Sequence, residues 1–386
     1  MSRVYLDWNA TAPLRPEARA AMIAAMDVVG NPSSVHAEGR AAKGLIETAR
    51  GQVADTFGAT GADIVFTSGA TEAASLALSA RKEKVQRPNE PRTLLASDIE
   101  HDCMEALRTT RGHFMVQSNG KVHLVDQHAL DEGLMDWLFG GHIVSLQSAN
   151  SETGTTQDIE DEFKAIRAFD AEESFLLTDA TQSFGKVPIA FNWLNADMAM
   201  ASAHKIGGPK GVGVLAVRQG VDLSTQNAGS GQEMGRRSGT ENVIGIAGFG
   251  AAAAAAGRDL AAGVWDGVAE LRDRLEDVLL NEASDIIIFG KDVSRLPNTS
   301  NFAIPGWKGE TQVMQMDLAG YAVSAGSACS SGKVKESRVL RAMGFDSLTA
   351  SSAIRVSIGP TTTETEVMGF ARTWIDHYRR WKQRAA

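Results

Sequence analysis

Cysteine is almost missing from this chain: 386 residues contain two, Cys103 and Cys329. Two thiols cannot make a disulfide framework. The cytoplasm is therefore the expected compartment, and there Cys329 stays a free thiol. The N-terminus, "MSRVYLDWNATAP", lacks the apolar core of a secretory signal. No segment holds the about 18 uninterrupted apolar residues of a membrane helix, so no membrane partner is expected. Positive charge is also short, with a net charge of -9. Nucleic acid and anionic membranes attract basic surfaces, so neither is an expected partner. Of the two basic runs, "GRRSG" near residue 236 and "YRRWKQR" at the C-terminus, the second reads as a helix end whose cations complement the dipole. "EHDCME" contains a His-x-Cys pair, but no second pair with ligand spacing accompanies it, so no metal site is expected. Cys103 then reads as a helix or loop residue without a catalytic part.

What is present is ordinary globular material, with 43% hydrophobic and 22% charged residues. After "GNPSS", residues 31–35, apolar residues at Ala42, Ile46, Ala49, Val53 and Phe57 fall at helical spacing, with Ser33 or Ser34 as the cap and Gly58 as the stop. Apolar runs follow at "DIVFTSG", "TLLAS", "HIVSLQS", "SFLLTDA", "MAMASA" and "VGVLAV", separated by helical stretches. Continuous runs of this kind predict a mainly parallel sheet covered on both faces. The alanine-rich segment 247–262 predicts a long helix linking two domains, and "DIIIFG", "NFAIPG" and "YAVSAG" predict a second unit with antiparallel pieces. The expected architecture is α/β: a large domain over 13–258, and a smaller C-terminal α/β domain over 259–386 joined by residues 1–12.

Three motifs fall at the carboxyl ends of predicted strands, where open α/β sheets bind ligands. In "FTSGATEA" a strand ends at Gly69 and a helix begins near Thr71. That is a phosphate cradle, or equally an ordinary threonine-capped turn. In "LLTDATQS", Asp179 is either a buried carboxylate seeking a cationic partner or the cap of the next helix, with Gln182 three residues on. In "ASAHKIGGPKGVG", Lys205 closes a strand beside Ser202 and His204. In a dry pocket its pKa would fall and suit imine chemistry; on the surface it would be merely solvated, as Lys210 reads. Together they supply what pyridoxal phosphate needs: a phosphate site, a carboxylate for the ring nitrogen and a lysine. Cys329 stands apart in "SAGSACSSGK", among glycine and serine, where a structural cysteine would be out of place.

From "YLDWNATAP" through "GNPSSVHAEGR", "FTSGATEA", the "EH" at 100–101, "DATQSFGK", "SAHKIGGPKG", "GRRSGTEN" and "SAGSACSSG" to "SSAIRVSIG", the chain resembles the cysteine desulfurases. These belong to the class V aminotransferase group of pyridoxal-phosphate enzymes, and the cysteine loop matches the type with a long flexible loop. The resemblance implies a fold-type I transferase with a seven-stranded-type sheet. It implies Lys205 as the lysine of the internal aldimine, Asp179 on the pyridinium nitrogen, Gln182 on the phenolic oxygen and His101 stacked on the ring and assisting proton transfer. Ala70, Thr71, Ser202 and His204 would hold the phosphate, and Thr240 would reach the phosphate of a neighbouring subunit, implying a homodimer. Arg355 would bind the substrate carboxylate, with Asn150 and position 151 helping to hold cofactor and substrate. Cys329 would attack the sulfur of L-cysteine, giving L-alanine and a persulfide for a sulfur-acceptor or scaffold protein of iron–sulfur or thio-cofactor assembly. Ser151 departs from the pattern, standing where a second asparagine is expected. The chain also ends short of the tail with which some relatives bind their scaffold. The rival expectations are another class V enzyme, an aminotransferase or a selenocysteine/cysteine lyase, and a non-enzymatic sulfur carrier.

Overall fold

The structure, a computed structural model, describes residues 3–81, 93–108, 114–124, 142–170, 174–224, 229–326 and 336–385. The six apolar runs of the first half are strands: β1 (Asp63–Thr67), β2 (Leu94–Ala96), β3 (Ile143–Gln147), β4 (Phe175–Asp179), β5 (Met198–Ser202) and β6 (Gly213–Val217). They form one sheet in the order β1-β6-β5-β4-β3-β2. Strands β2 to β5 pair in parallel, while β6 is antiparallel to both β5 and β1. Only residues 203–212 separate β5 from β6. A parallel return needs a crossover of about a dozen residues or more, so the chain turns back on itself. Six strands stand in this sheet among the described residues, where the resemblance implies a seven-stranded type.

Both faces are buried, as the apolar runs predicted. Val65, Leu177, Met200 and Leu215 share a cluster with Ala73 and Leu76 of α3 (Ala70–Ala77). Phe66, Leu176, Ala201 and Val214 point the other way, into a cluster with Ile46, Val53 and Phe57. That opposite face is covered by α1 (Pro16–Met26), α2 (Ala37–Phe57) and α4 (Val243–Ala261), which pack together.

The predicted stripe of α2 is buried at every position, and Gly58 ends the helix with a left-handed φ of 59°. Its cap, however, is His36, whose Nδ1 accepts the Gly39 N–H at 3.3 Å. Ser33 and Ser34 are taken by a turn around Asn31, donating their N–H groups to its side-chain and backbone oxygens. Helix α4 is long and apolar enough to cross a membrane by length and composition, yet more than half of it is buried in the protein core. It is a core helix packed on α1 and α2.

The second sheet is formed by β7 (Ile287–Ile288), β8 (Thr299–Ala303), β9 (Ser324–Ala325) and β10 (Ala353–Ser357), in the antiparallel order β7-β8-β10-β9. Phe302 and Val356 pack with Leu275 and Leu279 of α5 (Val264–Glu282) and Phe370 and Trp374 of α6 (Glu364–Ala385). The N-terminal segment joins this unit: Val4–Tyr5 pairs in parallel with Tyr321–Ala322, and Leu6 is buried in the same cluster.

Candidate active site

At the carboxyl ends of β3, β4 and β5 lies a cavity of about 630 Å³. The strand-end residues Gln147, Asp179 and Ser202 all line it, as does Lys205, held by a one-turn helix over Ala203–Lys205. Ala70 and Thr71 enter from the first turn of α3. Among the described residues no side chain caps that turn, which leaves the first N–H groups of the helix open to an anion. Gly213 of β6 lies against it so closely that a Cβ there would sit 2.5 Å from the Gly69 Cα.

Lys205 Nζ donates to the carbonyls of Asn9 and Ala10 at 2.7 and 2.9 Å. Asp179 is buried and lines the cavity, and one of its oxygens accepts the Thr181 N–H at 2.8 Å in a turn rather than at the start of a helix. His204 Nδ1 meets the Thr11 hydroxyl at 3.2 Å. Burial first, and then Lys205, Lys210 and Lys186 nearby, press its pKa down to about 4, so the ring is neutral at pH 7.

His101 caps the short helix Asp102–Glu105, its Nδ1 accepting the Cys103 N–H at 3.2 Å. A backbone N–H can only donate, so the neutral ring carries its proton on Nε2. Cys103, which the sequence left without a part, lines the cavity, and its Sγ is 3.2 Å from the same Nδ1.

Arg355 is carried to the cavity by β10 of the second sheet. Its Nη2 donates to Asp7 Oδ1 at 2.7 Å and its Nη1 to the Ser151 carbonyl at 2.9 Å, while Nε is buried with no hydrogen-bond partner among the described residues. Ser151 lines the cavity. Asn150 does not line it: its Nδ2 donates to the Ile99 carbonyl, and its Oδ1 accepts the N–H groups of Glu152 and Thr153. That amide shapes the turn beside the cavity. Thr240 is exposed and does not line the cavity. Cys329 lies outside the described residues, although Ser324, at the start of its motif, is in the cavity wall.

Four residues escaped the sequence reading. Asp7 and Asn9 line the cavity from the N-terminal segment. Lys186, 2% exposed, supports Gln182, and Glu100, 1% exposed, receives the Gln147 N–H at 2.7 Å. Burial, reinforced by Asp179, raises the Glu100 pKa to about 8, so it is a neutral acid at pH 7. All four sit inside quoted motifs, but what marks them is burial of Asn9, Glu100 and Lys186 and the pairing of Asp7 with Arg355, which no single stretch of sequence displays.

The chain matches the pattern of the family Aminotransferase class-V over residues 4–370. It is 39% identical to a cysteine desulfurase of Cereibacter sphaeroides, covering 95% of this chain and 93% of the relative. A cysteine desulfurase of a Nostoc species is 36% identical, over 95% and 90% of the two chains. Among solved structures, a NifS-like protein from Rickettsia africae superimposes with a TM-score of 0.85 at 32% identity, covering 98% of this chain and 99% of that one. With a catalytic-type cavity at the sheet's carboxyl edge and likeness along nearly the whole length, the chain belongs to the cysteine desulfurases of the class-V aminotransferase family.

Proposed function

We propose that this desulfurase binds pyridoxal 5'-phosphate in the cavity and takes sulfur from L-cysteine, leaving L-alanine and a persulfide on Cys329. The observation that carries the reading is the convergence of the Lys205 amine, the buried Asp179 carboxylate and the N-terminus of α3 on a single cavity, where the other lining lysine, Lys210, is exposed. These are the three groups the coenzyme needs, and the surrounding donors fit it. The first turn of α3, Ser202 and the neutral His204 would hold its phosphate; Asp179 would hold the ring nitrogen. When bound, the coenzyme supplies an electron sink for the substrate's α-carbon.

The chain's own residues do the rest. Lys205 anchors the coenzyme and moves a proton at its Nζ, and His101 presents an Nε2 proton on the cavity side. Arg355 binds the substrate carboxylate, for which its unpartnered Nε is a ready donor. The Cys329 thiolate accepts the substrate sulfur: a sulfur–sulfur bond forms as the carbon–sulfur bond of cysteine breaks. Glycine and serine around Cys329 suit a thiol that must then pass its sulfur to an acceptor protein such as an iron–sulfur scaffold. The working form is a homodimer in the cytoplasm, with Thr240 of each chain serving the other's phosphate site.

Purified protein incubated with L-cysteine and a thiol reductant should release alanine and sulfide in equal amounts. Cys329→Ser should lose sulfide release while still retaining the coenzyme. Undiminished turnover in that variant would refute the role given to Cys329.

A further inference from the structure

A buried lysine, Lys186, lies behind Gln182 of the cavity wall, and nothing in the reaction above uses it. Lys186 is 2% exposed, and among the described residues no carboxylate lies within ion-pairing distance. Lysine is almost never buried in this way without a role. Among the described residues its Nζ donates to two amide oxygens, Gln182 Oε1 at 2.9 Å and Asn9 Oδ1 at 3.3 Å. Burial, aided by the nearby charges of Lys205 and Arg355, holds its pKa well below the ordinary lysine value.

The consequence falls on Gln182. With its oxygen turned to Lys186, its nitrogen must face the other way. One N–H of that nitrogen donates to the Asn9 carbonyl at 3.0 Å, the same carbonyl that receives Lys205 Nζ. The second N–H has no partner among the described residues, and Gln182 lines the cavity. Asn9 cannot take over the task. Its Oδ1 also accepts from Asn298 Nδ2 at 3.0 Å, and its Nδ2 donates to Thr299 Oγ1 at 2.8 Å and to the Ser151 carbonyl. Without Lys186, a rotation of the Gln182 amide would present an oxygen to the cavity where a donor now stands.

We propose that Lys186 is a positioning residue of the active site, whose amine fixes the Gln182 amide with its nitrogen toward the cavity. Gln182 then offers a donor to an anionic oxygen of the bound ligand. Resting on the coenzyme reading above, that oxygen is the phenolic one, and a donor there favours its ionised form.

The test is coenzyme binding and absorbance rather than turnover. The wild type must first take up pyridoxal phosphate and show its visible absorbance; if it does not, the coenzyme reading fails and this inference with it. Given that, Lys186→Met, which keeps the length of the side chain, should weaken coenzyme binding about tenfold, the worth of a typical hydrogen bond. It should also shift absorbance at fixed pH toward the band of the un-ionised phenol. Gln182→Glu, which replaces the donor with an acceptor and gives Lys186 an ionic partner, should shift the spectrum the same way even if Lys186→Met does not fold. Combining Lys186→Met with Gln182→Leu should add nothing to the spectral change of Gln182→Leu alone. A wild-type spectrum in Lys186→Met or in Gln182→Glu, or a further shift in the double variant, would overturn the proposal.

Discussion

Two groups, Glu100 buried behind the cavity's His101 and His204 half-buried in the cavity wall, titrate far from their usual values, in opposite senses. The Glu100 acid keeps its proton up to about 8 in the folded protein, against 4.5 when unfolded. Between those values the native state holds the extra proton, so this residue makes stability fall as pH rises from 4.5 to 8. His204, held at about 4 against 6.5, works the other way: its contribution is present above 6.5 and is lost as pH falls toward 4. Glu100→Gln removes the first effect while keeping a neutral side chain of the same size. Its melting temperature should therefore decline less than the wild type's between pH 6 and pH 8 in thermal melts. Parallel declines would show that Glu100 is ionised in the native state. At this scale the sequence revealed residues whose type and strand-end position announce a chemical need, Lys205 and Asp179 foremost. It was silent on Glu100 and Lys186, whose importance comes from being enclosed by segments distant along the chain.

Among the elements, the six strands of the large sheet were legible because each is an unbroken apolar run, and both faces are covered. The reversal of β6 was not, since an apolar run carries no direction; it follows from the short return after Lys205. Helix α4 was legible as a helix but its packing in the core was not, because alanine and glycine suit a close-packed core helix as well as a connector. Its glycines make that packing testable. A Cβ on Gly250 would come within 2.5 Å of the Ala49 Cα in α2. Gly to Ala inside a helix ordinarily stabilises by about 1 kcal/mol. Here the two helices must separate, and overpacking of this kind costs about 1–3 kcal/mol. Gly250→Ala should accordingly lower the midpoint of urea denaturation. A raised midpoint would mean that α2 and α4 lie further apart than described.

For the molecule as a whole, residues 4–11 hold the two sheets in register over the cavity. Val4–Tyr5 adds to the second unit, Leu6 is buried in its core, Asp7 pairs with Arg355, and the Asn9 and Ala10 carbonyls receive Lys205. The motif "YLDWNATAP" signalled family membership, but a two-residue strand paired across some 300 residues of chain leaves no periodic trace. The Asp7–Arg355 pair is the joint of this arrangement, and it sets a competition. The guanidinium that would receive a substrate carboxylate already spends Nη2 on Asp7 and Nη1 on the Ser151 carbonyl. Both side chains are largely buried, so removing the acid leaves a cation without its counter-charge, at a cost of up to about 3 kcal/mol. The same change frees Nη2 for the substrate. Asp7→Asn should thus melt at a lower temperature while its KM for L-cysteine falls several-fold with little change in kcat. A rise in KM instead would mean that Asp7 aims Arg355 at the substrate, and that the N-terminal strap serves catalysis by alignment rather than by holding the two sheets together.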